Sequence, residues 1–487
     1  MIRGTKIVAT LGPATDDPKV LDEVIAAGVD VVRINFSHGT AEEHIRRAET
    51  VRNRARAHGR QVGVMGDLQG PKIRIDRFAE GKIELAEGDS FVLDTACDPN
   101  QGNEERVGLT YKNLVNDVAR GDTLLLDDGQ LVFWVEEVVG GEIRCKVKVG
   151  GVLSNNKGIN RAGGGLSAGA LTAKDMEDIR IAAKIEVDYL AVSFPKSAAD
   201  INLARQLLRD AGGHGGIVAK VERAEAVTCI DEIIEASDVI MIARGDLGVE
   251  IGDAELPGVQ KMIAKKARMA DKVIITATQM MQSMVDSPIP TRAEVLDVAN
   301  AVMDGTDAVM LSAETAVGKY PAKTVAAMDR VCRGAEPHTK DALKHALASE
   351  SYQRMDEAIA KASIITAQKL GVKAIAALTE SGATALWMSR ALSSIPVYAL
   401  TPHVHTRRKV TMYRGVHPVS FDVSTSNHAA ANKEAIDDLV RRNAVRDGDL
   451  VIITKGDLMG TQGGTNAMKI VKVGHLPEPD EDVYMDS

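Results

Sequence analysis

Two apolar runs of strand type, 217–222 and 239–246, each end in residues suited to phosphate and metal chemistry. Lys220 and Glu222 close the first run, and Arg244, Gly245 and Asp246 close the second. In a strand, side chains two apart share a side, so Lys220 and Glu222 project together. If the two strands are parallel neighbours joined by the amphipathic run between them, Asp246 lies beside Glu222. Two carboxylates, one ammonium and the free N–H groups of a Gly-Asp turn then converge. Mg²⁺ is commonly held by one or two carboxylates, with waters and substrate phosphates completing its shell.

These tips need a frame that brings them together. Strand-like runs with polar ends recur at 6–12, 31–39, 61–70, 189–194, 217–222, 239–246, 272–279 and 308–315, with helical periodicity between them. Alternating strands and helices predict a parallel sheet, and this number of units predicts a closed (β/α)8 TIM barrel. A barrel of this kind carries its site at the C-terminal ends of the strands. The polar residues fall at those ends: Arg33, Asn35, Ser37, Asp67, Lys220, Glu222, Asp246, Thr276, Thr278, Ser312 and Glu314. Capping boxes at Thr40 to Glu43 and Thr291 to Glu294 mark two helix starts.

The barrel pattern breaks after the third strand. Residues 71–166 read as short β runs punctuated by Gly and Asp, which predicts a small β-barrel domain inserted in a strand-to-helix loop. An insert there sits over the barrel mouth as a lid, with Arg74 and Lys157 near its hinges. The expected barrel covers 1–70 and 167–341, with 334–340 as a linker, and 342–487 forms a C-terminal α/β domain with a mostly parallel sheet. Its first strand ends in Thr379, Glu380, Ser381, Gly382, Ala383 and Thr384, a cradle suited to phosphate, and a glycine-rich loop at 455–466 lacks the Walker pattern. His403 and His405 read as a polar loop.

Composition narrows the partners. The 487 residues are 45% hydrophobic and 26% charged, with a net charge of −9 and 3% aromatics. That balance argues against nucleic acid, and an anionic substrate must be met by local cations. No apolar run approaches the ~18 residues of a membrane span, so a cytoplasmic location is expected. The four cysteines are scattered, without metal spacing.

Several long motifs in order then resemble the pyruvate kinase family across the whole chain: INFSHG at 34–39, GDLQGPKIR at 66–74, AKVER at 219–223, ARGDLGVE at 243–250, ATQMM at 277–281, PTRAEVLDVANAVMDG at 290–305 and MLSAETAVGKYP at 310–321. The resemblance implies phosphoryl transfer from phosphoenolpyruvate to ADP and protonation of the enolate to pyruvate. It also implies Glu222 and Asp246 as ligands of Mg²⁺ (or Mn²⁺), and Lys220 as the cation meeting the phosphoryl group. Gly245, Asp246 and Thr278 would cradle the substrate carboxylate, and Arg33 would bind phosphate. Arg74, Lys157 and His38 would serve ATP, and Asn35, Ser37, Asp67 and the Leu68 carbonyl a monovalent cation. Ser312 and Glu314 join Thr278 as groups able to orient a proton-donating water. A homotetramer is the family's usual assembly.

Two departures carry expectations of their own. Potassium-dependent members have Glu where this chain has Lys72, so Lys72 is expected to replace the bound K⁺ beside Asp67 and allow turnover without potassium. Glu380 stands where fructose-bisphosphate-responsive relatives carry Lys, so a sugar monophosphate or AMP is the expected effector, held by Thr379, Ser381 and Thr384. A Mg²⁺-dependent lyase acting through an enolate would use similar parts, but the lid cations argue against it. A silent metabolite sensor is opposed by the intact Lys220, Glu222, Asp246 and Thr278.

Overall fold

The computed structural model describes residues 2–339, 352, 354–422, 428–457 and 463–475. Eight parallel strands close into a barrel: β1 (Lys6–Thr10), β2 (Val31–Asn35), β3 (Gly63–Asp67), β4 (Tyr189–Val192), β5 (Gly216–Val221), β6 (Val239–Ala243), β7 (Val273–Ala277) and β8 (Ala308–Leu311). Each strand pairs with its sequence neighbour and β8 returns to β1, as short right-handed strand–helix–strand units require. Lys220 pairs in register with Met241, so β5 and β6 are the adjacent parallel strands expected from the sequence.

The strands are buried on both faces, which explains their continuous Val, Ile and Ala runs. Outward residues such as Ile217, Ile240 and Ile274 pack under the surrounding helices. Inward residues Val8, Met65, Tyr189, Met241 and Ile275 fill the barrel. With its middle packed solid, only the rim of the barrel is open to a ligand.

The insert contains a six-stranded sheet and a two-stranded ribbon, Lys82–Leu85 with Gly151–Ser154. Ile83, Leu85 and Leu153 of the ribbon join Phe91, Phe133 and Val147 of the sheet in one core. Alternating exposure along Leu131–Val139 and Glu142–Val149 reflects a sheet with one wet face.

The C-terminal strands β9 (Ala374–Leu378), β10 (Val397–Thr401), β11 (Val416–Ser420), β12 (Leu450–Gly456) and β13 (Thr465–Lys472) stand in the order 11-10-9-12-13. Only the β12–β13 pair is antiparallel. This domain docks on the barrel floor, where Met412, Tyr413 and Val416 continue the apolar cluster of the barrel interior.

The segment 334–340 is not a plain linker. Gly334 and Ala335 complete the helix Pro321–Ala335, and Glu336–His338 follow as a 3-10 turn with Pro337 near its start, where a missing N–H costs nothing. The Glu336 carboxylate accepts hydrogen bonds from the Gly4 and Thr5 amides, tying the turn to the chain start. Lys340, the expected boundary at 341–342 and residues 458–462 of the glycine-rich loop lie outside the described residues.

Candidate active site

The C-terminal ends of β2 to β6 bring together Arg33, Asp67, Lys220, Glu222 and Asp246. The Lys220 ammonium lies 3.0 Å from Glu222 Oε1 and 3.3 Å from Asp67 Oδ1. Arg33 Nε donates to the other Asp67 oxygen at 2.6 Å, and Arg33 Nη1 donates to Thr10 Oγ1 at 3.1 Å. Asp67 is fully buried. Burial alone would raise its pKa, yet Arg33 and Lys220 outweigh that cost and hold it below the ordinary carboxylate range. Burial likewise works against the Lys220 charge, but Asp67 and Glu222 keep its pKa above the usual lysine value. Both groups therefore stay charged.

Glu222 behaves differently. Burial raises its pKa, and the Asp246 and Asp67 charges add to the rise against the pull of Lys220. A carboxylate crowded by others is short of positive charge, and a divalent cation supplies it. Among the described residues no group of three or more His, Cys, Asp or Glu could hold a metal ion. A pair of carboxylates fits Mg²⁺, which keeps most of its shell for water and phosphate.

Lys72 reaches this pair rather than the place expected for it. Its ammonium lies 3.2 Å from Asp246 Oδ1, while the cations on Asp67 are Arg33 and Lys220. The sequence put Lys72 beside Asp67 because the two are close in the chain, but the turn at Gly70 (φ +66°) redirects it. Asn35 and Leu68, also of the expected monovalent-cation set, have partners of their own. Asn35 Oδ1 accepts from the Ser37 amide at 3.1 Å, and the Leu68 carbonyl accepts from Ser193 Oγ at 2.7 Å.

The expected Gly-Asp turn is the first turn of a helix, Arg244–Ile251. First-turn amides have no acceptor within a helix and face incoming anions. Thr278 Oγ1 accepts from the Gly245 amide at 2.8 Å and donates to the Ala277 carbonyl at 2.6 Å. Thr278 and Gln279 sit at φ +70° and +55°, a costly conformation for a β-branched residue. Arg244 secures it, donating to the carbonyls of Ala277 and Thr278 while its Nη1 and Nη2 grip Asp297. Sequence reasoning assigned Arg244 no role, because its partner comes from a helix 53 residues away.

Glu314 needs correction as a candidate for orienting water. It is fully buried, and its oxygens accept from the Ser312 amide at 2.6 Å and the Met281 amide at 3.1 Å. The carboxylate clamps the loops after β7 and β8 together and does not face the cleft. Ser312, half-buried, stays at the tip.

The lid brings Arg74 and Lys157 side by side. Arg74 bridges Gly158 in antiparallel fashion, Arg74 Nη1 donates to the Asn156 carbonyl at 2.9 Å, and Lys157 pairs with Asp127 at 2.8 Å. His38 is exposed beyond the end of β2. The strap from lid to barrel is held by Glu250, whose carboxylate accepts from Asn160 Nδ2 at 3.4 Å and the Ala224 amide at 3.0 Å. Burial, opposed by the Ala224 amide and aided by the Glu225 charge, pushes Glu250 up to about 7.

In the C-terminal domain, Thr379 and Thr384 are buried with their hydroxyls engaged. Thr379 Oγ1 accepts from the Gly382 amide at 3.0 Å, and Thr384 Oγ1 bonds Thr465 Oγ1 at 3.0 Å. Of the three expected phosphate contacts, Ser381 is the one left half-exposed. Glu380 lies 2.5 Å from His403 Nε2, and His403 stacks on His405 at the start of the helix Val404–Lys409, so the two histidines sit at a helix end rather than in a loose polar loop.

The family model described as "Pyruvate kinase, barrel domain" matches residues 2–325, and "Pyruvate kinase, alpha/beta domain" matches 357–471. The chain is 55% identical over 477 residues to pyruvate kinase II of Salmonella typhimurium, covering 97% of this chain and 99% of that protein. It is 52% identical over 476 residues to a pyruvate kinase of Buchnera aphidicola subsp. Acyrthosiphon pisum, covering 97% and 99%. A pyruvate kinase of Mycobacterium intracellulare is 40% identical over 477 residues, with 97% of this chain and 99% of that protein covered.

Proposed function

The chain belongs to the pyruvate kinase family and is a phosphotransferase, and from that premise we propose how its residues transfer a phosphoryl group from phosphoenolpyruvate to ADP. The observation that carries the reading is the convergence of Lys220, Glu222 and Asp246 at the tips of adjacent barrel strands. Mg²⁺ held by Glu222 and Asp246 would neutralise charge on the substrate oxygens. Phosphoryl transfer runs through a loose transition state whose charge spreads over oxygens, so fixed cations do most of the work. Lys220 and Arg33, locked by Asp67, present two such cations without reorganising. The first-turn amides after Gly245 receive the substrate carboxylate, beside Thr278, whose hydroxyl is held between the Gly245 amide and the Ala277 carbonyl. As the phosphorus–oxygen bond to the enol breaks and the bond to the ADP oxygen forms, the enolate is left to take a proton at carbon, with Thr278 and Ser312 placed to order a donor water. Arg74 and Lys157 approach the nucleotide phosphates when the lid closes.

We assign turnover without potassium to Lys72, whose ammonium, on Asp246 rather than beside Asp67, adds a third cation to the site. Activation by a sugar monophosphate or AMP is assigned to the loop after β9, with Ser381 as the available contact and Glu380 opposing a second phosphate. A homotetramer suits the apolar side chains left in the open near the helix Arg292–Met303: Ile289 is 68% and Leu296 65% exposed. A monomer mass in light scattering contradicts that assembly. The location is assigned to the cytoplasm, and no helix among the described residues is long and apolar enough to cross a membrane.

The test of the function is product stoichiometry. With phosphoenolpyruvate, ADP and MgCl₂ the protein is expected to release pyruvate and ATP in equal amounts, and glucose 6-phosphate or AMP to raise the rate. Pyruvate release without ADP would overturn the kinase reading in favour of a lyase.

A further inference from the structure

Lysine is a charge on a long flexible stem, and a charge that must meet a group in transit has to be held still. Three oxygens surround the Lys220 ammonium: Ser193 Oγ accepts a hydrogen bond from it at 2.6 Å, and Glu222 Oε1 and Asp67 Oδ1 lie at ion-pair distances of 3.0 Å and 3.3 Å. The contact to Ser193 is the shortest. It is also the one not shared with another cation, because Asp67 is shared with Arg33 and Glu222 is assigned to the metal.

Ser193 follows β4 directly and is 1% exposed. Its hydroxyl has one proton, which goes to the Leu68 carbonyl at 2.7 Å. With that proton committed, the oxygen faces Lys220 only as an acceptor. Because the hydroxyl cannot turn round, the ammonium has one geometry against it. The surrounding wall is tight as well: a Cβ on Gly70 would come within 2.7 Å of Ser193 Cβ.

We propose that Ser193 is a positioning residue for phosphoryl transfer: its buried hydroxyl, anchored on the Leu68 carbonyl, fixes the Lys220 ammonium on the transferring group while Asp67 and Glu222 hold other cations. The inference deepens the proposed function and rests on the role given there to Lys220. It also links the Lys220 ammonium to the Leu68 carbonyl, a member of the expected monovalent-cation set, through a single hydroxyl.

The experiment measures kcat, KM for phosphoenolpyruvate and melting temperature for the wild type, Ser193→Ala, Lys220→Gln and the double variant. Losing one charge-assisted hydrogen bond that acts in the transition state is expected to lower kcat about 10- to 100-fold in Ser193→Ala. KM is expected to move less than about threefold, because ground-state binding keeps its other contacts. In the Lys220→Gln background, Ser193→Ala should cost nothing further, since its effect passes through the ammonium. A kcat within about twofold of wild type, or the same loss with and without Lys220, would overturn the proposal. Wild-type turnover by Lys220→Gln would instead overturn the role of Lys220, and that of Ser193 with it. Should Ser193→Ala melt early, Ser193→Cys, which retains volume and a weak acceptor, is assayed below its melting temperature. An intermediate kcat supports the proposal, and a wild-type kcat contradicts it.

Discussion

Glu222 is the residue on which metal binding and pH meet. Its pKa is raised by burial and by the neighbouring carboxylates, so protons compete with the metal for it as pH falls. Glu222→Gln removes one of the two ligands, and the Mg²⁺ concentration for half-maximal rate is expected to rise about tenfold or more. In the wild type that concentration should also climb as pH is lowered, and in Glu222→Gln the climb should shrink. A Mg²⁺ requirement that is unchanged by the substitution contradicts the ligand assignment. Much of this site was legible in the sequence. Lys220 and Glu222 show as a period-two pair, and the register of β5 against β6 makes Asp246 their neighbour. Ser193 was not legible: a lone serine closing an apolar strand reads as an ordinary turn, and its meaning comes from Lys220 and Leu68 on other strands. The partner of Lys72 was equally hidden, because it lies 174 residues further along the chain.

Among the elements, the strap between lid and barrel carries a titration of its own. Glu250 stands at about 7 in the folded protein against an ordinary value near 4.5, facing Arg223 from the turn after β5, Glu225 from the helix Ala224–Thr228 and Asn160 from the lid. A raised carboxylate means that the folded state binds the extra proton, so stability is full below the unfolded value and is lost as pH rises towards about 7. The loss is about 3 kcal/mol at most. Glu250→Gln keeps a neutral hydrogen-bonding group there. Trp134 lies in the lid strand Leu131–Val139, so its fluorescence in a Trp387→Phe background reports lid unfolding by urea. The midpoint of the variant is expected to gain on that of the parent between about pH 5 and pH 8. Parallel curves would show that Glu250 is not titrating in the strap. The capping boxes of Ala41–Ala57 and Arg292–Met303 formed as their sequences predict, because they need only residues three apart. The stretch 334–340 misled because Gly and Pro also suit a helix end.

Over the whole molecule, the barrel floor and the C-terminal domain share one apolar cluster, pinned by a buried ion pair. Arg390 grips both oxygens of Asp307 at the foot of β8, and Asp307 also accepts from the Ile274 and Arg414 amides. Arg390 is 6% and Asp307 1% exposed. Arg390→Ala strands a buried carboxylate, so a loss of about 3–5 kcal/mol is expected in calorimetry of the barrel transition. An unchanged transition contradicts the pinning. The three-part division was legible because periodicity switches from strand–helix to β and back along the chain. The docking of the C-terminal domain was not, since it depends on residues such as Tyr413 and Tyr189 that read as core of separate domains.

A site that moves a phosphoryl group with cations built into the chain needs no added monovalent cation. The most direct measurement is the rate of pyruvate and ATP formation from phosphoenolpyruvate, ADP and MgCl₂ in potassium-free buffer, for the wild type and Lys72→Glu. The wild type is expected to turn over at full rate with no response to KCl, and Lys72→Glu to become dependent on KCl. Wild-type turnover that appears only when KCl is added would contradict the account.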